Sequence, residues 1–292
     1  MNKTIKEALQ GASLTLKKAG ISHYIYESAL LLAFCLEKDL VYVYTYPENT
    51  LSSSQEKRYE ELVNKRASGI PYHYLVGEKE FMGLSFQVNP AVLIPRPETE
   101  IMAQEALRWA REREEKPLNL LDLCTGSGVL AVTLAYHLPH SRCYATDISS
   151  GALQVAAKNA ARHGVDNQVT FLQGDLWEPL DRQEELQGIK FSLILSNPPY
   201  VSRDQLKEIS SEIRNHEPLE ALEGGPRGLD FYPRIISRAH QFLARPGLLL
   251  LEVGEGQAAE VMEMSRRKEV FEDIYTLKDY QDIERVVASL RV

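Results

Sequence analysis

Asn197-Pro198-Pro199-Tyr200 sets a primary amide, two prolines and a phenol ring at four consecutive positions, a combination that suits the capture of a planar NH2 group. The side-chain oxygen of Asn197 and the carbonyl of Pro198 are two acceptors for its two N–H bonds, and the Tyr200 ring can lie on its face. Amide and aromatic NH2 groups are weak nucleophiles because the lone pair is delocalised into the π system. Two acceptors in fixed positions favour a nitrogen moving toward tetrahedral and aim its lone pair at an electrophile, with no base needed early. The fixed φ of both prolines makes the segment rigid. Taken alone, the same residues also read as a turn, since Asn-Pro often starts one.

Three other stretches offer groups for a second ligand. Cys124-Thr125-Gly126-Ser127-Gly128 follows an apolar run, and its glycines let the backbone turn tightly and approach a bound molecule. Asp147 ends the next apolar run and is placed to hold ribose hydroxyls, or to cap the helix that starts near Ser149. Asp175 and Trp177 end a third and can receive the exocyclic amine and the face of a purine. Gly126-x-Gly128-x-x-Ala131 also matches the dinucleotide fingerprint, so a nicotinamide-dependent oxidoreductase is an alternative reading. Hydride transfer, however, needs neither Asp122 at the first run's end, nor Asp175, nor Asn-Pro-Pro-Tyr after the fourth. A non-catalytic module that keeps the pocket for regulation is a further alternative.

The elements that must carry these residues alternate strand and helix, the pattern of an α/β domain with a parallel sheet. Strands are expected at 118–124, 142–146, 169–172 and 190–195, with a helix from Val129 to His137. The run Lys190–Leu195 is nearly all apolar toward its end, as a strand buried on both faces is. A helix over about 230–243, a strand over 247–253, a helix from Glu255 and strands near 270–277 and 284–290 complete the domain. The last two strands have no helix between them and imply an antiparallel pair at one sheet edge. Residues 217–229, rich in Gly and Pro, predict a loop over the pocket that can act as a lid.

Upstream the periodicity is helical. Residues 1–70 predict one helix around Ile5–Leu16, another over Tyr24–Glu37, and a third opening on the capping box Ser53-Ser54-Gln55-Glu56 and ending near Gly69. Tyr42, Tyr44 and Tyr46 are either core or contact surface. From Pro71 the period changes to two, and Tyr72–Val88 reads as a hairpin within a connector, residues 71–95. Glu98-Thr99-Glu100 then opens a helix to about Glu114, leaving 96–292 as the larger domain.

At 292 residues and formal net charge −8, the chain has room for two domains and argues against binding a phosphate backbone through clustered Lys and Arg. Residues 1–70 hold nine Lys and Arg against eight Asp and Glu, so the acidity belongs to the remainder. No apolar run is long enough for a membrane span, and Met1–Lys6 leads into an amphipathic pattern instead of a signal-peptide core. A cytoplasmic protein is expected. Cys35, Cys124 and Cys143 are widely spaced in apolar settings and read as reduced thiols, and no metal site is expected.

With these residues in view, the chain resembles the class I S-adenosylmethionine-dependent methyltransferases. More closely it resembles the glutamine methyltransferases of peptide chain release factors, the HemK or PrmC family. The likeness runs from the helical N-terminal region through Ile94-Pro95-Arg96-Pro97-Glu98-Thr99-Glu100, Asp122–Gly128, Asp147 and Asn197–Tyr200 to Gly224-Gly225. Cys124 stands where Gly is frequent and Arg227 where an acid is frequent. The resemblance implies a seven-stranded Rossmann-like sheet with its last strand reversed and S-adenosyl-L-methionine as cofactor. It also implies a substrate: the side-chain nitrogen of the glutamine in the Gly-Gly-Gln motif of class I release factors. Residues 124–128 would then carry the methionine end of the cofactor, Asp147 the ribose, Asp175 and Trp177 the adenine surroundings, and Asn197 with Pro198 the substrate amide. Pro199 and Tyr200 would shape the substrate slot, and residues 1–70 would recognise the protein substrate. Alternatives in the same class are a ribosomal protein glutamine or an adenine in nucleic acid.

Overall fold

The computed structural model describes residues 2–113 and 117–292. The chain divides into two compact units, residues up to Glu78 with Ser210–His216, and Lys79–Ile209 with Glu217–Val292.

In the first unit, α1 (Ile5–Lys18), α2 (Tyr24–Leu36) and α4 (Ser53–Ala67) bury Ile5, Leu16, Leu31, Leu32 and Val63 between them. The α4 capping box lies one residue earlier than the sequence pattern predicts. Ser52 holds the extended cap backbone and exchanges hydrogen bonds with Gln55, so Ser53 is already helical. A short α3 (Leu40–Thr45), capped by the Asp39 carboxylate, leaves Tyr44 and Tyr46 exposed. Tyr72–Val76 forms one helical turn, α5, and not a strand. Five residues of mixed aromatic and apolar character carry no usable period, and Tyr72 and Leu75 pack on the core of this unit from a helical turn that Gly77 ends. Of the expected hairpin, β1 (Glu78–Phe81) and β2 (Leu84–Gln87) remain. Residues 210–216 carry α11 (Ser211–His216), just after the short α10 (Gln205–Glu208). Glu212 of α11 pairs at 2.8 Å with Arg66, whose side chain is 4% exposed and also pairs with Glu27.

The second unit is built on a sheet of order β5-β4-β3-β6-β7-β9-β8, seven strands among the described residues. These are β3 (Asn119–Leu123), β4 (Arg142–Asp147), β5 (Val169–Gln173), β6 (Phe191–Ser196), β7 (Leu243–Glu252), β8 (Asp273–Lys278) and β9 (Glu284–Arg291). The first five run parallel, and β9 alone is reversed, between β7 and β8. Alternate residues of the central strands serve opposite faces. Leu120, Leu193, Leu195, Leu248 and Leu250 join one core beneath α6 (Thr99–Arg111) and α7 (Val129–His137), with Ala160 of α8 (Ser150–Arg162). Leu121, Leu123, Ile194, Leu249 and Leu251 join the other. That face is covered by α9 (Glu178–Arg182), α12 (Phe231–Phe242) and α13 (Ala258–Arg266). Both faces are buried, which is why these strands read as continuous apolar runs.

Element ends differ from the sequence expectation where turns intervene. Helix α6 stops at Arg111, and Glu114 lies outside the described residues. Strand β7 begins at Leu243, and α13 begins at Ala258 because Gly254–Gln257 form a turn closed by the Gln257 N–H to the Gly254 carbonyl at 3.1 Å.

Candidate active site

The strand order reverses between β3 and β6, since β4 and β5 lie on one side and β7 on the other. Ligands bind at the carboxyl edge beside such a reversal. Registers Leu123↔Thr146 and Leu123↔Ser196 bring the segments after β3, β4 and β6 level with one another there. The Ser196 hydroxyl donates to the Leu123 carbonyl at 2.8 Å and ties the two strand ends together.

Asn197 follows, half-buried. Its Nδ2 donates to Thr99 Oγ1 at 3.3 Å, which leaves Oδ1 as the atom free to accept from a ligand. Thr99 is the first residue of α6 and is itself buried, so the amide rests on a fixed partner. Pro198 and Pro199 are buried. The Tyr200 hydroxyl donates at 3.3 Å to Glu252 Oε1, at the end of β7. Burial pushes the Glu252 carboxyl up to about 7, and among the described residues its second oxygen, Oε2, has no hydrogen-bond partner.

The turn after β3 is held from below. Asp122, 2% exposed, accepts from the Thr125 hydroxyl at 2.6 Å and from the Ala131 N–H at 3.3 Å, and burial pushes its carboxyl up to about 7. Asp147 accepts from the Gly126 N–H and the Ser149 N–H, each at 2.9 Å, so it braces the glycine turn and the residue that caps α8; the cap itself is Ser149, whose hydroxyl accepts from the Ala152 N–H at 3.2 Å, and not Asp147. Burial raises its pKa, and the backbone N–H groups of Ser149, Gly126 and Ile148 oppose that rise. Asn159, in mid α8, donates at 2.8 Å to the Ser127 carbonyl and joins the turn to Gln87 of β2.

These groups surround one cavity of 890 Å³. Cys124, Thr125, Gly126, Ser127, Asp147, Asp175, Asn197 and Pro199 line it, together with Arg96, Thr99, Glu220 and Phe231. Four predicted residues stand elsewhere. Pro198 and Tyr200 are not among the cavity's lining residues, although the Pro198 carbonyl is joined directly to Pro199, which is one. Gly128 serves packing, since a Cβ there would meet the Ala156 Cβ at 2.9 Å, so only glycine lets α7 approach α8. Trp177 is the clear correction to the expected adenine surroundings. Its indole is 3% exposed in the α9–α12 core, stacked on Phe242 at 4.8 Å, and donates to the Arg234 carbonyl at 3.2 Å. The sequence placed it near the site, but a large apolar ring after a strand is equally a core residue. Phe231, an aromatic side chain, lines the cavity instead, with the Arg234 guanidinium 5.6 Å from its ring centre. Asp175 itself pairs with Arg234 at 2.5 Å.

The glycine-rich loop is no free lid. Its backbone pairs with the segment after Tyr200 through Val201 N–H to the Leu222 carbonyl at 2.8 Å and Gly224 N–H to the Val201 carbonyl at 2.9 Å. Arg227 pairs with Glu260 of α13 at 2.6 Å, which explains a base at that position.

Two family models match the chain, the PrmC N-terminal domain over residues 7–77 and the methyltransferase small domain over residues 107–220. The release factor glutamine methyltransferase of Geobacter sulfurreducens is 39% identical over 98% of this chain and 96% of that protein. That of Clostridium acetobutylicum is 35% identical over 98% of both. The chain belongs to the release factor glutamine methyltransferase family. A solved methyltransferase from Pyrococcus furiosus, 15% identical, overlies 78% of this chain and 98% of its own with a TM-score of 0.52, a likeness of fold.

In this methyltransferase the residues that sequence reasoning missed are those that orient others. Thr99 lay in the quoted Pro-Arg-Pro-Glu-Thr-Glu stretch, and Glu252 stood out as a charge closing the run Leu248–Leu251. Glu217, its side chain 2% exposed, pairs with Arg96 at 2.7 Å and accepts from the Ile94 N–H at 3.2 Å, fixing the cavity-lining arm. Among the described residues no group of His, Cys, Asp and Glu could hold a metal ion, and no helix is long and apolar enough to cross a membrane.

Proposed function

We propose that this enzyme transfers a methyl group from S-adenosyl-L-methionine to the side-chain amide nitrogen of the glutamine in the Gly-Gly-Gln motif of class I peptide chain release factors. The observation that carries this reading is Asn197, which presents Oδ1 as an acceptor in the wall of a cavity that the glycine turn and Asp147 also line.

The lining fits S-adenosylmethionine. At Gly126, φ is 56° and a Cβ would meet nothing within 4 Å, so the backbone faces open space where a ligand can approach it. Residues 124–127 with the start of α7 suit the methionine end. Asp147 keeps lone pairs for ribose hydroxyls beyond the two N–H groups it already accepts. For the adenine we assign Asp175 and Phe231 in place of Trp177. When bound, the cofactor supplies an electrophilic methyl group on a sulfonium centre. Of the acids on the cavity wall, Asp175 and Glu223 are paired with Arg234 and Arg203, and Asp147, Glu220 and Asp230 are those that favour a cationic ligand over its neutral product.

Asn197 Oδ1 and the Pro198 carbonyl accept the two N–H bonds of the substrate amide. The amide is thereby turned so that its nitrogen lone pair faces the methyl group, and orientation supplies most of the rate. The nitrogen's surplus proton leaves late, to water. The described residues up to Glu78 supply none of the cavity lining, and their exposed Ile25, Tyr26, Val41 and Tyr44 suit recognition of a protein. We assign this unit to binding the release factor and place the reaction in the cytoplasm, with no nucleic acid partner.

The test supplies labelled S-adenosylmethionine with an intact class I release factor, the same factor with its Gly-Gly-Gln glutamine replaced by alanine, a ribosomal protein and adenine-containing DNA. Label is expected in the intact factor alone. Label in the DNA, the ribosomal protein or the alanine-substituted factor would overturn the assignment.

A further inference from the structure

We propose that Arg96, held by the buried Glu217, is a substrate-binding residue that donates to a main-chain carbonyl of the peptide beside the target glutamine, an inference that rests on the transfer reaction proposed above. Arg96 Nη2 donates to Glu217 Oε1 at 2.7 Å, and Glu217 Oε2 accepts from the Ile94 N–H at 3.2 Å. Both carboxylate oxygens thus hold one arm of chain, and that arm lines the cavity through Ala91, Val92, Leu93, Pro95 and Arg96. Among the described residues three arginines line the cavity, Arg96, Arg203 and Arg234, and their partners differ. Glu223 and Asp175, which pair with Arg203 and Arg234, have side chains 40% and 41% exposed, whereas that of Glu217 is 2% exposed. Water competes for the exposed pairs, while a buried carboxylate is strongly destabilising without its cation. Arg96 is the most firmly held of the three.

Its place is on the substrate side of the cavity. The Thr99 N–H donates to the Arg96 carbonyl at 3.2 Å in the turn that opens α6, and Thr99 Oγ1 accepts from Asn197 Nδ2 at 3.3 Å. Glu217 takes Nη2 alone, so Nε and Nη1 have no acceptor among the described residues. These donors belong to a partly exposed side chain on the cavity wall and are open to a ligand.

The acceptor follows from charge and from the reaction. Glu217 already neutralises the guanidinium, so the pair attracts a second carboxylate weakly and repels the sulfonium of the methyl donor little. A neutral carbonyl is the group that fits. The target's own side-chain oxygen is a poor choice, because a donor there draws electron density from the nitrogen that must attack. A main-chain carbonyl carries no such penalty, and a peptide entering the cavity needs donors to replace the water its carbonyls lose. The glycines before the target leave that main chain open to a planar guanidinium fork.

Arg96→Lys keeps a cation for Glu217 but replaces the fork by a single ammonium group. The KM for intact release factor should rise about tenfold, more than kcat falls, with S-adenosylmethionine affinity and the thermal midpoint as in the parent. A second measurement needs no variant: in nitrogen-15 NMR spectra of the parent with the demethylated product of the cofactor bound, the Arg96 Nε–H resonance should move when release factor is added. A parent-like KM in Arg96→Lys, or an unmoved resonance, would overturn the contact, because a purely structural pair needs only a cation at position 96. Weaker S-adenosylmethionine binding in Arg96→Lys would also overturn it, by placing the guanidinium on the cofactor. A parent enzyme that labels no release factor would overturn the substrate reading and this contact with it, whereas a labelling parent with a parent-like KM in Arg96→Lys overturns the contact alone.

Discussion

Asp147 and Trp177 follow neighbouring strands and invite the same interpretation, yet their surroundings give them opposite roles. Asp147 lines the cavity, and Asp147→Ala should weaken S-adenosylmethionine binding by about 1–3 kcal/mol through lost hydrogen bonds to ribose. Trp177 is packed on Phe242, and Trp177→Phe should lower the thermal midpoint while leaving cofactor affinity unchanged. Calorimetry on both variants separates the two, and a Trp177→Phe enzyme that loses affinity would restore the indole to the site. Asp122 gives a pH dependence. Its folded pKa, about 7, lies above the usual carboxylate value, so between that usual value and 7 the folded chain binds more protons than the unfolded one. Its contribution to stability is therefore largest at the acid end of that window and declines as pH rises through 7. Thermal midpoints across this range should fall less steeply in Asp122→Asn than in the parent, and equal slopes would refute the assignment. At this scale the sequence showed which residues carry polar chemistry at strand ends. Which of them face the cavity depended on partners distant in the chain, as with Trp177 on Phe242, Thr99 with Asn197 and Glu252 with Tyr200.

The parallel strands and the reversed β9 were legible because both sheet faces are buried and the last two strands lack an intervening helix. The turn α5 was not, since five residues fit either period and their packing on a helical core decided the matter. The loop around Gly224 was expected to move over the pocket, a reading drawn from its turn residues. Its glycines are instead explained by contact: a Cβ at Gly228 would lie 2.1 Å from the Tyr200 carbonyl oxygen, and one at Gly224 would lie 2.6 Å from the Pro199 carbonyl oxygen. Gly228→Ala should displace the Tyr200 segment and reduce turnover with little change in cofactor affinity. By contrast, a Cβ at Gly126 would meet no protein atom within 4 Å, and Gly126→Ala, which strains a turn at φ 56° that itself lines the cavity, should act on affinity. Measured Kd and kcat for the two variants test this split, and equal effects of both on Kd would contradict it.

Across the whole molecule, the family membership accounts for both parts of the chain. The helical unit matches a model of its own over residues 7–77, and among the described residues the sheet unit carries all those that line the cavity. The expected boundary near residue 70 falls inside the first unit, because α5 and residues 210–216 belong to it. Within it the buried Arg66 pairs with Glu27 and Glu212. Removing residues 1–70 would leave Glu212 without its cation, so a loss of activity in such a truncation would not by itself assign recognition to this unit. The central claim, that Asn197 orients a glutamine amide for methylation, is tested most directly by single-turnover methylation of intact release factor. The enzyme is saturated with S-adenosylmethionine, and the modified residue is mapped by mass spectrometry. Parent enzyme should place one methyl group on the glutamine of Gly-Gly-Gln, and Asn197→Ala should do so on the order of a hundredfold more slowly. A methyl group on any other residue, or a parent-like rate from Asn197→Ala with cofactor bound, would contradict it.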